Sequence, residues 1–205
     1  MSGLVVGLAL LLAAQESAGA LDTRPAPPAG LSWEEADTVA RTLRRIDRRL
    51  RTGRPASDET IVVTERQLNS FVNLTLAEQV PAEVSGLELH LGAGRLGASA
   101  VVDLDRLRAK LPEGGPYAML SMLSGTVPVE LLGRVESAEG QIRIDLEEAS
   151  IGGVGLPPSL LAQIVSFATR NEDRPDGIDI AAPVALPWTA RRVRVEPGRA
   201  LFDFY

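Results

Sequence analysis

Gly92-Ala93-Gly94-Arg95-Leu96-Gly97 matches G-x-G-x-x-G, the spacing with which a glycine-rich turn cradles a dinucleotide pyrophosphate. That chemistry needs a strand before the turn and a helix after it, so that the helix N-terminus faces the phosphates. Here Ala98, Ala100, Val102 and Leu104 alternate with Ser99 and Asp103 after the turn. A strand therefore follows, no helix dipole is at hand, and the spacing reads as a hairpin turn. His90 is the only histidine, and the alternation puts it on a polar strand face with Glu88. A lone imidazole does not complete a metal site, and no Ser/His/Asp arrangement has another to use. Asp103-x-Asp105 and Asp145-x-Glu147-Glu148 are the acidic clusters. Paired carboxylates do acid–base work or hold a hard cation. Both clusters fall on outward positions or strand ends, where a solvated face is the simpler reading. Asn73-Leu74-Thr75 would accept a glycan only in a eukaryotic secretory pathway, and the chain reads as bacterial. No catalytic residue, metal ligand or cofactor is expected, and the protein reads as a non-enzyme.

Two other groups could bind rather than react. Arg41, Arg44, Arg45, Arg48 and Arg49 crowd one helical stretch. Each basic residue near anionic lipid headgroups is worth about 1 kcal/mol, so the stripe could meet a membrane or a protein partner; the competing reading is a solvated helix face. Pro116 to Gly125 is apolar and carries Tyr117, Met119 and Met122. Such a Met/Leu segment suits a pocket mouth or a membrane contact, or else a helix covering the core.

The elements that must position these residues are legible from periodicity. After a Pro-rich linker at 21–31, Ser32 and Glu35 have capping-box spacing, Leu31 can staple onto Ala36, and apolar positions 36, 39, 43, 46 and 50 run at helical spacing. Gly53 stops that helix. Ile61-Val62-Val63 reads as a short strand. Thr64 and Gln67 form a second capping box, opening a helix to about Glu78 with Leu68, Phe71 and Val72 on its apolar face. Period two then takes over: Leu87, Leu89 and Leu91 pair through the glycine turn with Ala98, Ala100 and Val102. Val127, Val129, Leu131 and Val135 form a second hairpin with Ile142, Ile144 and Leu146 across Glu139-Gly140. Pro157-Pro158 opens a helix carrying Leu160, Leu161, Ile164 and Phe167, apolar over most of its circumference and so expected to be buried. A last hairpin turns at Pro197-Gly198. The predicted class is α+β: a curved antiparallel β-sheet wrapped around an apolar helix, with an additional N-terminal Arg-rich amphipathic helix.

Composition narrows the setting. The chain has 205 residues, 45% of them apolar, and no cysteine. Leu4 to Ala14 is an uncharged apolar run, shorter than the roughly 18 residues expected of a membrane span, and Ala18-Gly19-Ala20 offers an A-x-A cleavage site. Residues 1–20 therefore read as a secretory signal peptide, with an uncleaved anchor as the alternative, and 32–205 as a single domain. The expected location is periplasmic or extracellular. Lacking cysteine, the exported chain has no disulfide and no lipid-anchored cysteine. All but one of the 21 basic residues are arginine, a GC-rich coding signature, and the net charge of −6 argues against a nucleic-acid partner.

Val63-Thr64-Glu65-Arg66-Gln67-Leu68-Asn69 resembles the "T-x-x-x-L-N" helix start of several bacterial envelope families. Gly133-Arg134-Val135 through Gly140 to Gly155-Leu156-Pro157 resembles their "strand, turn, strand, G-x-x-L-P, helix" segment. The relatives in question are the YpmS-like and LmeA-like proteins, over about residues 60–205. The resemblance implies an extracytoplasmic, lipid-binding protein with half of a TULIP-like fold and no catalytic signature. On that reading Leu68, Phe71, Val72, Tyr117, Met119, Met122, Leu160, Leu161, Ile164 and Phe167 line an apolar ligand site, while Arg41, Arg44, Arg45, Arg48 and Arg49 meet an anionic membrane or partner. The alternative is an envelope assembly protein with a solid core, docking a partner through the arginine helix. A continuous cavity of about 300 Å³ or more would favour the ligand.

Overall fold

A computed structural model describes residues 24–53, 59–108, 124–157, 159–160, 162–163, 166, 179, 182–186 and 190–204. The expected signal peptide lies outside these residues, as do Tyr117, Met119, Met122, Leu161, Ile164 and Phe167.

Helix α1 spans Trp33–Arg51 and buries Ala36, Val39, Leu43 and Ile46 along one face. Glu34 and Glu35 in its first turn and Arg48, Arg49 and Arg51 in its last complement the helix dipole. Gly53, at φ 67°, follows the helix end in the left-handed conformation that glycine adopts without a Cβ penalty. The expected Ser32–Glu35 capping box does not form: Ser32 makes no side-chain cap bond, and its N–H donates to Ser70 Oγ at 3.1 Å. A tertiary acceptor has taken the donor that Glu35 would have satisfied.

Strand β1 spans Glu59–Thr64 and runs into helix α2, Glu65–Ser70. The Thr64–Gln67 capping box forms in both directions. The expected regular helix to Glu78 does not: α2 widens into a π turn over Phe71–Thr75 and tightens into a 3-10 turn over Ala77–Gln79. Asn73 marks the break. Its side-chain amide donates both to Asn69 O at 3.0 Å and to Leu87 O at 2.8 Å, reaching out of the helix to a strand. A side chain that enters the helical ladder in this way is a recognised cause of such a break.

Strands β2 (Val84–Leu91), β3 (Arg95–Asp103), β4 (Thr126–Ala138) and β5 (Gln141–Ile151) form an antiparallel meander. A short helix α3, Leu104–Arg108, follows β3. Strands β6 (Val154–Gly155) and β7 (Val184–Ala185) both pair with β5, one near each end, to complete a six-stranded sheet. The fold is α+β, with a mostly antiparallel sheet that is curved and unclosed. Two bulges bend it. One lies between Ser85 and Glu88 in β2, where Gly86 has φ 58°. The other leaves Glu147 unpaired, since Leu132 faces Glu148 and Gly133 faces Leu146. An extra residue reverses strand parity. Ile142, Ile144 and Leu146 face in before the bulge, and Ala149 and Ile151 face in after it. At Gly133 an added Cβ would sit 2.6 Å from Ile144 Cγ2, so no larger residue fits there without movement.

The alternation predicts a single sheet, and the described residues form two. β8 (Arg192–Glu196) and β9 (Arg199–Phe204) form the expected C-terminal hairpin, but β9 then pairs along its length with β1. This three-stranded sheet has the order β1-β9-β8. The main core lies between α1, α2, the small sheet and the β2–β3 half of the large one, and includes Leu43, Ile46, Leu68, Phe71, Leu89, Phe202 and Phe204. A second cluster, with Val102, Leu104, Val129, Ala149, Ile151 and Leu156, occupies the other end of the large sheet.

Among the described residues, the outer edge of β2 is closed by side chains and one backbone N–H rather than by a strand. Asn69 Oδ1 accepts from Leu89 N at 2.7 Å, and Asn69 Nδ2 donates to Leu89 O at 2.8 Å. Glu65 Oε2 accepts from Leu91 N, Gly198 N donates to Leu91 O, and Asn73 takes Leu87 O. Replacing Asn69 by leucine keeps the branched outline of the side chain and removes both bonds to Leu89, a residue only 2% exposed. A loss of about 1–3 kcal/mol for each unsatisfied backbone group is expected. Urea denaturation measures it, and an unchanged midpoint would show that the edge bonds carry no stability.

Candidate functional site

The residues that looked chemical in the sequence have structural partners. Gly92–Gly94 form the β2–β3 turn with β3 directly after it. Gly94, at φ 65°, donates its N–H to Val195 O at 2.9 Å and accepts from Val135 N at 2.9 Å, so it ties β8 to β4. A backbone committed to protein partners on both sides is a junction between sheets. His90 is exposed, with Nδ1 3.8 Å from Glu65 Oε1. Asp103 Oδ1 accepts from Asp105 N and Arg106 N, both at 3.1 Å, and thereby caps α3. Among the described residues no three His, Cys, Asp or Glu side chains are grouped to hold a metal ion, and no helix is long and apolar enough to cross a membrane.

The second acidic cluster is an ion-pair lattice on the outer face of the large sheet. Arg95 faces Arg134 across β3 and β4, and the bulge in β5 places Glu147 between them. Arg134 donates to Glu147 Oε1 from Nε and Nη2, and Arg95 Nε donates to Oε2 at 2.9 Å. The Arg134 bond is the main force holding the Glu147 carboxyl below the ordinary glutamate value, with Arg95 adding to it. Arg143 bridges Glu136 and Asp145 beside this group. The small sheet has a comparable device. Asp203 accepts from Arg194 Nε at 3.0 Å and from Thr60 Oγ1 at 2.8 Å. Arg194 chiefly, and Thr60 after it, hold this carboxyl below the ordinary aspartate value against the opposing effect of burial.

Charges on α1 divide into two sets. Arg45 and Arg49 grip the two oxygens of Glu59 at 2.6 and 2.7 Å, and Arg51 pairs with Asp47. Arg41 donates to Thr38 Oγ1 at 3.0 Å. Arg44 and Arg48 are exposed, and among the described residues no carboxylate lies within ion-pair distance of either. At helical spacing Arg41, Arg44 and Arg48 share the face opposite the core. At the other end Arg24 stacks 4.6 Å from the Trp33 ring and grips Asp37, while Trp33 Nε1 donates to Pro25 O. The described part of the Pro-rich linker is thus held against the start of α1.

Leu68, Phe71 and Val72, expected to line a ligand site, are buried in the protein's own main core. Leu160 packs at the edge of the second cluster, with Ser159, Leu160, Ala162, Gln163 and Ser166 helical. Two features are invisible to periodicity. Val127, Leu131, Val135, Ile144 and Leu146 pack inward on β4 and β5 but stay only half-buried. A cleft of about 30 Å³ also lies between α1 and the small sheet, lined among others by Thr38, Thr42, Ile46, Ile61 and Val63. Its one signal in the sequence is the placing of Thr38 and Thr42 next to the apolar stripe.

The Asp203 pKa carries a pH dependence. The unfolded aspartate titrates near pH 3.9, and the folded one lies below its ordinary value. Its contribution is therefore complete above about pH 3.9 and is lost as pH falls through the lowered folded value. Thermal midpoints taken from about pH 5 downward should fall less steeply in Asp203→Asn than in the parent. Equal acid slopes would remove Asp203 from the account.

No protein-family model matches the chain, and none of the curated proteins searched is significantly similar to it.

Proposed function

We propose that this protein is a non-catalytic module of the bacterial envelope, working outside the cytoplasmic membrane, that binds or shuttles a lipid or another apolar ligand. The observation that carries the reading is the half-buried apolar row Leu131, Val135, Ile144 and Leu146 on the inner face of β4 and β5. Inner-face residues of β2 and β3 such as Leu89, Ala98 and Ala100 are buried by α2 and the small sheet. Contiguous apolar surface left in contact with water marks a binding site more often than a folding defect. On this reading the apolar helix Leu160–Phe167 lies across that row, with the sheet curving round it, and the ligand's chain runs between them. Helical residues beginning at Ser159, with Leu160 against the second cluster, support that placement. Arg41, Arg44 and Arg48, on the face of α1 opposite the core, supply the contact with an anionic membrane from which the ligand is taken, while Arg45 and Arg49 stay on Glu59. A solid-cored assembly protein is the second reading, favoured by the complete packing around Leu68, Phe71 and Val72.

Leu146→Trp separates the two. A tryptophan over a ligand channel displaces ligand and leaves the fold intact. In a filled core it overpacks, at a cost of about 1–3 kcal/mol. The measurement pairs the urea midpoint with mass spectrometry of organic extracts from natively exported protein. Parental lipid that disappears from a stable variant is the expected result. Destabilisation with no lipid in either protein would reject ligand binding.

Vesicle sedimentation tests the arginine face. Binding should require anionic lipid, weaken as salt rises, and vanish when Arg41, Arg44 and Arg48 are all replaced by glutamine. Equal binding to zwitterionic vesicles, or no effect of the triple replacement, would reject the membrane contact.

A further inference from the structure

The sheet edges of this protein are treated unequally. The edge of β2 is covered by Glu65, Asn69, Asn73 and Gly198. β8 is tied to the large sheet through Val195 O, which accepts from Gly94 N, and Val193 N, which donates to Ser137 Oγ. β1 is the remaining edge of the small sheet. The turn at Pro197-Gly198 makes Glu196 and Arg199 the closing pair of the β8–β9 hairpin. Antiparallel alternation then directs the backbone of Ala200, Phe202 and Phe204 toward β1, where they face Val63, Ile61 and Glu59. The N–H and C=O groups of Thr60, Val62 and Thr64 consequently point away from the sheet. Gln67 Oε1 takes the Thr64 N–H within the capping box, which agrees with that phase. Among the described residues, the backbone groups of Thr60 and Val62 have no partner on that edge.

The surroundings of this edge specify what fits it. Val62 is 48% exposed. The apolar cleft between α1 and β1 lies on the side toward which Ile61 and Val63 point. A strand laid beside β1 would send alternate side chains the same way, over Thr38, Thr42 and Ile46. The rim of that cleft is basic, with Arg45 and Arg49 sharing the single carboxylate of Glu59 and Arg41 bonded to Thr38. β1 itself, Glu-Thr-Ile-Val-Val-Thr, is rich in β-branched residues and has no proline, lysine or bulge to discourage pairing.

We propose that β1 is a docking edge for an extended segment of a partner protein, apolar at alternate positions and acidic beside them, which adds to the small sheet as a fourth strand and seats an apolar side chain in the cleft against α1. Main-chain bonds to Thr60 and Val62 supply the pairing, the cleft selects an apolar side chain, and the arginines select acidic neighbours. This site is separate from the apolar row on β4 and β5 and does not depend on lipid binding.

The probe is a short capped peptide alternating valine with threonine and flanked by glutamates, titrated into full-length protein by NMR and fluorescence anisotropy. Saturable binding is expected, with amide shifts centred on β1 and α1. The same peptide N-methylated at alternate residues should not bind, and exchanging its glutamates for lysine should weaken it about tenfold or more. Val62→Pro is the decisive variant. Its lost N–H faces away from β9, a position proline tolerates in an edge strand, so the thermal midpoint should hold while binding is abolished. Should Val62→Pro destabilise the fold, the N-methylated peptide with parent protein tests the same main-chain pairing. Equal binding by the N-methylated probe, or no saturable binding by the parent protein, would overturn the proposal. Concentration-dependent dimerisation through β1 would also overturn it, by making a second copy the occupant.

Discussion

Everything in this fold is hung on the outer edge of β2. Residues 87, 89 and 91 bury their side chains in the core, so their backbone groups must be paired without water. Among the described residues no strand is there to do it. Asn69 substitutes for one, because its amide carries a donor and an acceptor with the spacing of a peptide group. Glu65 and Asn73, four residues either side, complete the row. The consequence is mechanical. α2 is fastened to the large sheet by hydrogen bonds as well as by Leu68 and Phe71. Glu65 N donates to Gly198 O and Gly198 N donates to Leu91 O, so the same few residues also fix the small sheet. α1 then packs on what α2 and the small sheet present, with Ser70 Oγ receiving the N–H of Ser32 at its start.

Local features of this arrangement are legible in the residues, and distant ones are not. The Thr64–Gln67 box is a contact within one turn, and it forms as the spacing predicts. The hairpins at Gly92–Gly94 and Glu139-Gly140 follow from alternation and turn chemistry, and Glu139 even adopts the positive φ of 51° that the turn requires. Ser32 and Glu35 have the same capping spacing as Thr64 and Gln67, yet a serine from another element supplies the bond. Spacing alone does not reveal such a competitor. The second sheet is hidden for a similar reason: β1 finds its partner in β9, near the opposite end of the chain. The bonds of Asn69 and Asn73 are hidden in the same way, because their partners include backbone groups of β2.

Bulges explain why the acidic pair at 147–148 looks like a possible site. In an unbroken strand neighbouring carboxylates point to opposite faces. The extra residue in β5 reverses the phase at that point, turning Ala149 and Ile151 inward and leaving Glu147 on the outer face between Arg95 and Arg134. The carboxylate held there is matched by two guanidinium groups and placed away from the inner face. Asp203, Thr60 and Arg194 repeat the arrangement on the small sheet. Lattices of this kind contribute little stability where they are exposed. Their effect is to fix register, since a slip of one residue would turn every charge toward the core.

Capping β2 and joining β8 to the large sheet also bear on what the molecule can do. A protein that left all its edges open would pair with itself, and one that closed them all would offer no main chain to a partner. The residues spent on β2 are Glu, Asn, Asn and Gly, each bonded to a backbone group of buried Leu87, Leu89 or Leu91. Among the described residues β1 receives no such treatment, although Arg45 and Arg49 stand close enough to its first residue to bond Glu59. Those arginines neutralise Glu59 and leave excess positive charge at the strand's start, which discourages a second copy of the same cluster and favours an acidic chain. The inner face of β4 and β5 meets the same physical question in apolar form. Packing by the described residues stops short of covering Leu131, Ile144 and Leu146. Two surfaces of different chemistry, one of free main chain and one of half-covered side chains, thus remain where the fold's own contacts run out.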